Sequence, residues 1–199
     1  MPPPPLPVNC CMMKKRITHS VKLTCQTLEV DGKRVAMAVE GESFLTSLYH
    51  AAAIEYPKFF KMDLLCKVGF IASEYLLNAE GKERFLPADD RAVLLFNRNS
   101  SWNADTTFQQ TIDNPEEFYP SPAVFVYTLP NIVTGEIAIR NKYHGESDFI
   151  LLPEMSEAAM DQAIDRAFLD PATTSVLAGW VEAVSEDDFE AFLTITEGC

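Results

Sequence analysis

The sequence predicts an α/β protein with a mixed, mostly parallel sheet and helices on both of its faces. Three observations predict it. From about residue 90 the segments run strand, helix, strand, helix, strand, strand, an order that winds a parallel sheet and finishes it with an antiparallel member. Ala92–Phe96 is a continuous apolar run of strand length between Asp89-Asp90-Arg91 and Asn97-Arg98-Asn99, the pattern of a strand covered on both faces. Over Met62–Leu77, the residues Met62, Leu65, Cys66, Gly69, Ser73, Leu76 and Leu77 recur at helical spacing.

The other elements follow in order. Val21–Val30 alternates and is rich in β-formers, Asp31-Gly32 is a hairpin turn signal, and Arg34–Val39 alternates again, so a strand pair is expected. Ser43–Ala53 has the mix of a short helix. In the Met62–Leu77 helix, Gly69 implies close packing, and Gly81 implies a chain reversal beyond its end. Ser100–Thr111 is polar, either loop or helix, and Pro115, Pro120 and Pro122 break the stretch after it. Pro130 suits the first turn of a helix in which Ile132, Gly135, Glu136 and Ile139 share a face and which His144-Gly145 ends. Phe149–Leu152 is a short strand. Ser156 is an N-cap for a helix to about Phe168, with Ala159, Met160, Ala163, Ile164 and Ala167 inward and Asp170-Pro171 closing it. Ser175–Val184, which contains Gly179, and Phe189–Thr196 are the last strands. No repeat or linker divides residues 17–199, which are expected to form one domain.

The composition bounds the chemistry. At 199 residues and 47% apolar, the chain can bury a real core. Its 29 acidic and 16 basic residues leave a net charge of −13. That is the wrong sign for nucleic acid or for anionic membranes, and it sets up long-range repulsion from other acidic proteins. The five cysteines, Cys10, Cys11, Cys25, Cys66 and Cys199, form no CxxC and no zinc-ligand spacing with histidine. No disulfide framework, metal site or cofactor is expected, and a reducing, cytoplasmic compartment is. Cys66 falls on an apolar helix face, as a buried thiol does. Residues 1–16, Pro-rich and then basic, read as a disordered tail, with Met12 or Met13 as the natural start. The proline stretch precedes the basic cluster, which is not the order of a secretory signal, and no segment has the apolar length to span a bilayer.

Three stretches carry a resemblance. Lys61-Met62-Asp63 leads into a helix rich in small residues over Cys66–Leu77. Ser121-Pro122 through Phe125 is followed by Leu129-Pro130-Asn131 and Gly135-Glu136-Ile137-Ala138-Ile139-Arg140. After Gly145 and a further helix comes Val176-Leu177-Ala178-Gly179-Trp180-Val181-Glu182-Ala183. In order and spacing, across roughly residues 58–184, the chain resembles the β-ketoacyl-[acyl carrier protein] synthases. The corresponding segments of that family read RMD…A…AA..AL, SP..F….LPN..AG.IAI, GP and LAGG.EA. The resemblance implies a thiolase-like fold. A complete condensing enzyme has two similar α/β halves, and this chain has the length of the N-terminal half only.

The departures from the family matter as much. Its members read TACAS at the turn from strand to helix, and the cysteine takes the acyl group. Counting on from Gly145, the equivalent residues are Leu152-Pro153-Glu154-Met155-Ser156, which puts Glu154 on the nucleophile position. A carboxylate there gains from the helix dipole but offers no comparable thioester. The family's two active-site histidines lie in the second half, whereas His19, His50 and His144 all precede Glu154.

Each candidate residue has a plain reading beside the functional one. Glu154 is a carboxylate capping the helix that starts near Ser156, a partner or ligand contact, or a chemical group. Some relatives carry glutamine at this site and act as decarboxylases or as non-catalytic partners that set chain length. His144 suits a helix end helped by the dipole. Ser156 has no histidine or aspartate at triad spacing and no GxSxG elbow. Glu182, Glu186, Asp187, Asp188 and Glu190 read as a solvated acidic turn rather than a metal site. Lys58, Lys61 and Lys67 are ordinary surface lysines or a patch that docks an acidic acyl carrier protein.

A lone half of this fold would leave an apolar layer open, so a homodimer or a heteromer with a ketosynthase is expected. Two functions result. One is a catalytically inert accessory subunit beside a condensing enzyme in fatty acid, polyketide or aryl-polyene-type synthesis. The other is an acyl-thioester enzyme, a 3-oxoacyl synthase-like protein or a decarboxylase, using Glu154 as acid or base in a pocket at a dimer interface. Simple binding of an acyl chain in the family's tunnel is a third and weaker reading.

Overall fold

A type I′ hairpin turn needs positive φ at both central positions, and Asp31 and Gly32 supply it at 49° and 72°. The computed structural model describes residues 14–36, 41–113, 116 and 120–198. The Asp31-Gly32 turn joins β2 (Leu28–Val30) to β3 (Lys33–Arg34). Val39, at the end of the expected second strand, lies outside the described residues. The alternating run before the hairpin is two strands rather than one. The Thr24 hydroxyl accepts from the backbone N–H groups of Gln26 and Thr27 at 3.3 and 3.1 Å, and this local turn separates β1 (Lys15–Thr24) from β2.

β1 also starts earlier than the domain boundary expected at residue 17. Lys15 pairs with Gly198, and its ammonium sits 2.6 and 2.5 Å from the carboxylates of Asp161 and Asp165. Those partners are remote in sequence, so residues 15 and 16 read as tail until the sheet is assembled. Residues 1–13 of the expected tail lie outside the described residues.

The helices follow from their caps. Ser43 caps α1 (Phe44–Ala51). After a 3-10 turn at Pro57–Lys61, Asp63 caps α2 (Leu64–Glu80) by accepting from the Cys66 N–H at 3.0 Å, and Gly81 ends it in the left-handed region. β4 (Arg91–Asn97) is buried at every residue, as its apolar run requires. The polar segment after it is helical, α3 (Trp102–Gln110). Pro122 opens the single turn α4 (Pro122–Phe125), and a 3-10 turn at Val126–Thr128 leads towards α5 (Ile132–Asn141). β5 (Ser147–Leu151), α6 (Glu157–Ala167), β6 (Ser175–Ser185) and β7 (Asp188–Gly198) complete the chain.

The strand order is β3-β2-β1-β7-β6-β4-β5. The sheet is mixed with helices on both faces, as expected, but parallel pairing is confined to β5, β4 and β6. Apart from an isolated parallel bridge between Ala88 and Tyr143, the other described pairings are antiparallel, so the sheet is not mostly parallel. The β6–β7 and β2–β3 connections are too short for a crossover, and short connections can only make antiparallel neighbours.

One core lies between α2 and the face of the sheet that carries Val21, Leu23, Val93, Leu95, Leu177, Val181, Leu193 and Ile195. The opposite face packs Ala92, Leu94, Phe96, Val176, Ala178 and Trp180 against Met160, Ile164, Ala167 and Phe168 of α6 and its end. The inward face of α5 differs from the expected one. Val133, Thr134, Glu136, Ile137 and Asn141 are buried and Ile139 is 66% exposed. Of the expected face only Glu136 is buried, where it meets Lys58, while Arg140, next to the exposed Ile139, turns towards the buried Glu74 at 3.4 Å.

Two predictions follow from this packing. A Cβ added at Gly69 would lie 2.4 Å from Val133 Cγ2, so Gly69→Ala should cost about 1–3 kcal/mol in urea unfolding. The double variant Gly69→Ala/Val133→Ala should lose less than the sum of the two single losses. Burial pushes the Asp63 carboxyl above its ordinary pKa, despite the hydrogen bonds it accepts. The folded chain therefore holds this proton at pH values where the unfolded chain has released it. The stability Asp63 confers is highest below the ordinary carboxylate range and declines as pH rises through the raised value. Asn keeps the capping oxygen, so Asp63→Asn should be more stable than the parent at pH 7, with the advantage shrinking towards pH 4. Equal unfolding midpoints at pH 7 would refute this.

Candidate functional site

The carboxyl ends of parallel strands are where ligand sites form in α/β sheets, and β4 and β5 end together at the β5–α6 corner, beside Trp180 in the middle of β6. The Leu152 N–H donates to the Asn97 carbonyl at 2.9 Å, which ties the exit of β5 to the end of β4. Pro153 and Glu154 form an exposed bend. Ser156 then caps α6, its hydroxyl accepting from the Ala159 N–H at 3.3 Å. The expected capping role of Glu154 thus belongs to Ser156, two residues on. Glu154 points to no hydrogen-bonding or ionic partner among the described residues. In a single copy of the chain it is a solvated carboxylate, and a pocket around it would need a second molecule.

Beside the corner the sheet is incompletely covered. A cavity of about 300 Å³ has Met155, Trp180 and Phe192 as apolar walls, with Lys22, Glu157 and Glu190 among its polar groups. Met155 and Leu151 are about half exposed. Glu182, expected in a solvated acidic run, is buried. Its Oε2 accepts from the Arg98 N–H at 3.0 Å, while its Oε1 is sealed without a partner. Glu182 lies inside β6, whereas Glu186, Asp187, Asp188 and Glu190 remain exposed on the β6–β7 turn and β7. Its same-face neighbours Trp180 and Val184, apolar in an otherwise apolar strand, were the available sequence signal for its burial.

The three lysines divide. Lys58 Nζ lies 2.5 Å from Oε1 of the buried Glu136, and the Tyr56 hydroxyl donates to Oε2 at 3.3 Å. That hydrogen bond and charge hold the Lys58 pKa above its ordinary value. Lys61 and Lys67 instead line a cavity of about 320 Å³ between the start of α2, α3 and the α4 region. Lys67 Nζ also lies 6.0 Å from the Phe59 ring centroid. Tyr127 shares this cavity, and its pKa is pushed up to about 12, first by burial and then by the charges of Cys66, Glu136 and Asp63. Burial pushes the Cys66 thiol well above its ordinary value, which makes it a poor nucleophile.

The histidines are not brought together. His19 contacts Asp31 at 2.9 Å, His144 contacts Asp89 at 3.1 Å and His50 lies 3.9 Å from Glu42. Among the described residues no group of three His, Cys, Asp or Glu side chains is placed to hold a metal ion. No single described helix is long and apolar enough to cross a membrane.

No protein-family model and no curated protein matches this sequence. Solved structures do match. The ishigamide ketosynthase/chain length factor superposes with a TM-score of 0.64 at 16% identity, over 93% of this chain and 62% of that one. The ketosynthase ApeO in complex with its chain length factor ApeC, from Xenorhabdus doucetiae, gives 0.60 at 12% identity over 93% of this chain and 79% of that one. AntDE:AntF, a type II polyketide synthase acyl carrier protein in complex with its ketosynthase, gives 0.64 at 10% identity over 94% of this chain and 63% of that one. The chain thus spans less than two thirds of the first of these structures. At such identities the likeness is one of fold, and the mixed α/β architecture matches the thiolase-like fold of ketosynthases and chain length factors.

Proposed function

We propose that this chain is a ketosynthase-like accessory subunit that pairs with a condensing enzyme and is catalytically inert itself. The observation that carries the proposal is the β5–α6 corner. In a fold shared with ketosynthases, the corner presents a solvated Glu154 and a capping Ser156, while the described cysteines, Cys25 and Cys66, lie elsewhere. The pairing of ketosynthases with chain length factors in the matched structures supports a heteromer.

The edges of the sheet favour a partner at β5. One edge is the two-residue β3, Lys33–Arg34, short and charged as protected edges are. The other is β5, Ser147–Leu151, which has no proline or lysine and ends on the half-exposed Leu151. The cavity walled by Met155, Trp180 and Phe192 lies on the sheet face beside the same corner. A carrier-protein contact would have to rely on Lys61 and Lys67, since Glu136 neutralises Lys58.

The test is to co-express the chain with the ketosynthases and carrier proteins of its own genome and weigh the complexes by native mass spectrometry. A stable complex with a ketosynthase is expected, and Leu151→Lys should weaken it at least tenfold without lowering the unfolding midpoint. Thioester hydrolysis, condensation and malonyl decarboxylation by the chain alone should all be absent. A chain that stays alone would overturn this reading, and a turnover that Glu154→Gln abolishes would replace it with the enzyme reading.

A further inference from the structure

We infer that the cavity between the start of α2, α3 and the 3-10 turn after α4 binds a short organic monocarboxylate. This site is separate from the β5–α6 corner and does not rest on the accessory-subunit reading. At about 320 Å³ the cavity is in the range of small-molecule sites. That volume corresponds to on the order of ten heavy atoms, taking about 30 Å³ for each.

The lining specifies the ligand. Met62, Leu64, Ala104 and Val124 give it apolar walls suited to hydrocarbon. Lys61 and Lys67 bring two ammonium groups, and neither is ion-paired among the described residues, in contrast to Lys58 beside them. The Tyr127 hydroxyl makes no hydrogen bond among the described residues, and its surroundings keep it protonated, so it can donate. Three unused donors over apolar walls suit a carboxylate on a short chain.

The opposing charges restrict the ligand to one negative charge. Asp63 and Glu186 also line the cavity. The Asp63 carboxyl is held under the α2 N-terminus, where Oδ1 accepts from the Cys66 N–H and Oδ2 is sealed without a hydrogen bond. It therefore repels an entering anion without serving as a ligand. A dianion such as phosphate meets that repulsion twice and gains nothing from the walls.

The test is a titration of the full chain with hexanoate at low ionic strength, followed by calorimetry and by backbone amide NMR shifts. Hexanol has the hydrocarbon without the charge, and inorganic phosphate has the charge without the hydrocarbon. Saturable hexanoate binding, at least tenfold tighter than either control, is expected, with shifts centred on residues 61–67 and 123–127. Lys61→Ala/Lys67→Ala should weaken it about tenfold, the scale of one charge-assisted hydrogen bond. Tyr127→Phe should weaken it several-fold. Asp63→Asn keeps the helix cap and removes the repulsion, so it should tighten binding, a gain that misfolding cannot imitate. Binding of hexanol or phosphate equal to that of hexanoate, no saturation, or weaker binding by Asp63→Asn would overturn the assignment.

Discussion

Helix α2 has almost no face left for water, and the rest of the molecule is arranged around that fact. Twelve of its seventeen residues are buried, between the sheet on one side and α1 and α5 on others. A helix apolar all round must be enclosed, and enclosure sets conditions. α5 can approach only because Gly69 leaves room for Val133. The most deeply buried charge, Glu74, is met by both Arg84 and Arg140. An unpaired carboxylate at that depth would cost several kcal/mol, so these arginines are a requirement of the packing. Phe85 completes the arrangement, with its ring 4.9 Å from the Arg84 guanidinium and 4.5 Å from that of Arg140.

The two faces of the sheet are unequally treated. The α2 face is covered by several helices, while the opposite face has α6, held in place partly by the Lys15 contacts to Asp161 and Asp165. β7 and β1 extend past α6, which leaves Phe192 partly exposed. The open sheet face, the unpaired β5 edge and the β5–α6 corner therefore form one region. Met155 joins the apolar strip to the corner, so a molecule on the strip would lie next to Glu154 in the chain.

Local patterns in the sequence located most elements. The apolar run of β4, the periodicity of α2, the Asp31-Gly32 turn and the Ser156 cap each depend on neighbours within a few residues, and each formed where its pattern put it. The differences arise where the partner is distant. Val133 and Ile137 are buried and Ile139 is left outside, beside an Arg140 that reaches Glu74, 66 residues away in the chain. Lys15 joins β1 through acids on α6. Glu182 is drawn in by the Arg98 N–H of another strand's end. At the candidate site the corner itself was legible, because strand and cap are local. The cavity beside Lys61 and Lys67 depended on the three-dimensional arrangement.

Two glycines stand where the fold leaves no room for a side chain. A Cβ at Gly179 would meet the Phe192 carbonyl oxygen at 2.0 Å, and one at Gly145 would meet the Arg91 carbonyl oxygen at 2.4 Å. Both obstacles are backbone within the β6–β7 and β4 region, which no rotamer change can move. These two glycines are also among the residues through which the sequence resembles the ketosynthases. The resemblance thus tracks positions where strands and loops come too close for a side chain. The corner between β5 and α6 is under no such constraint, since Pro153 and Glu154 project into solvent. A scaffold held by backbone contact leaves such an exposed corner free to vary, so fold alone does not set the chemistry there.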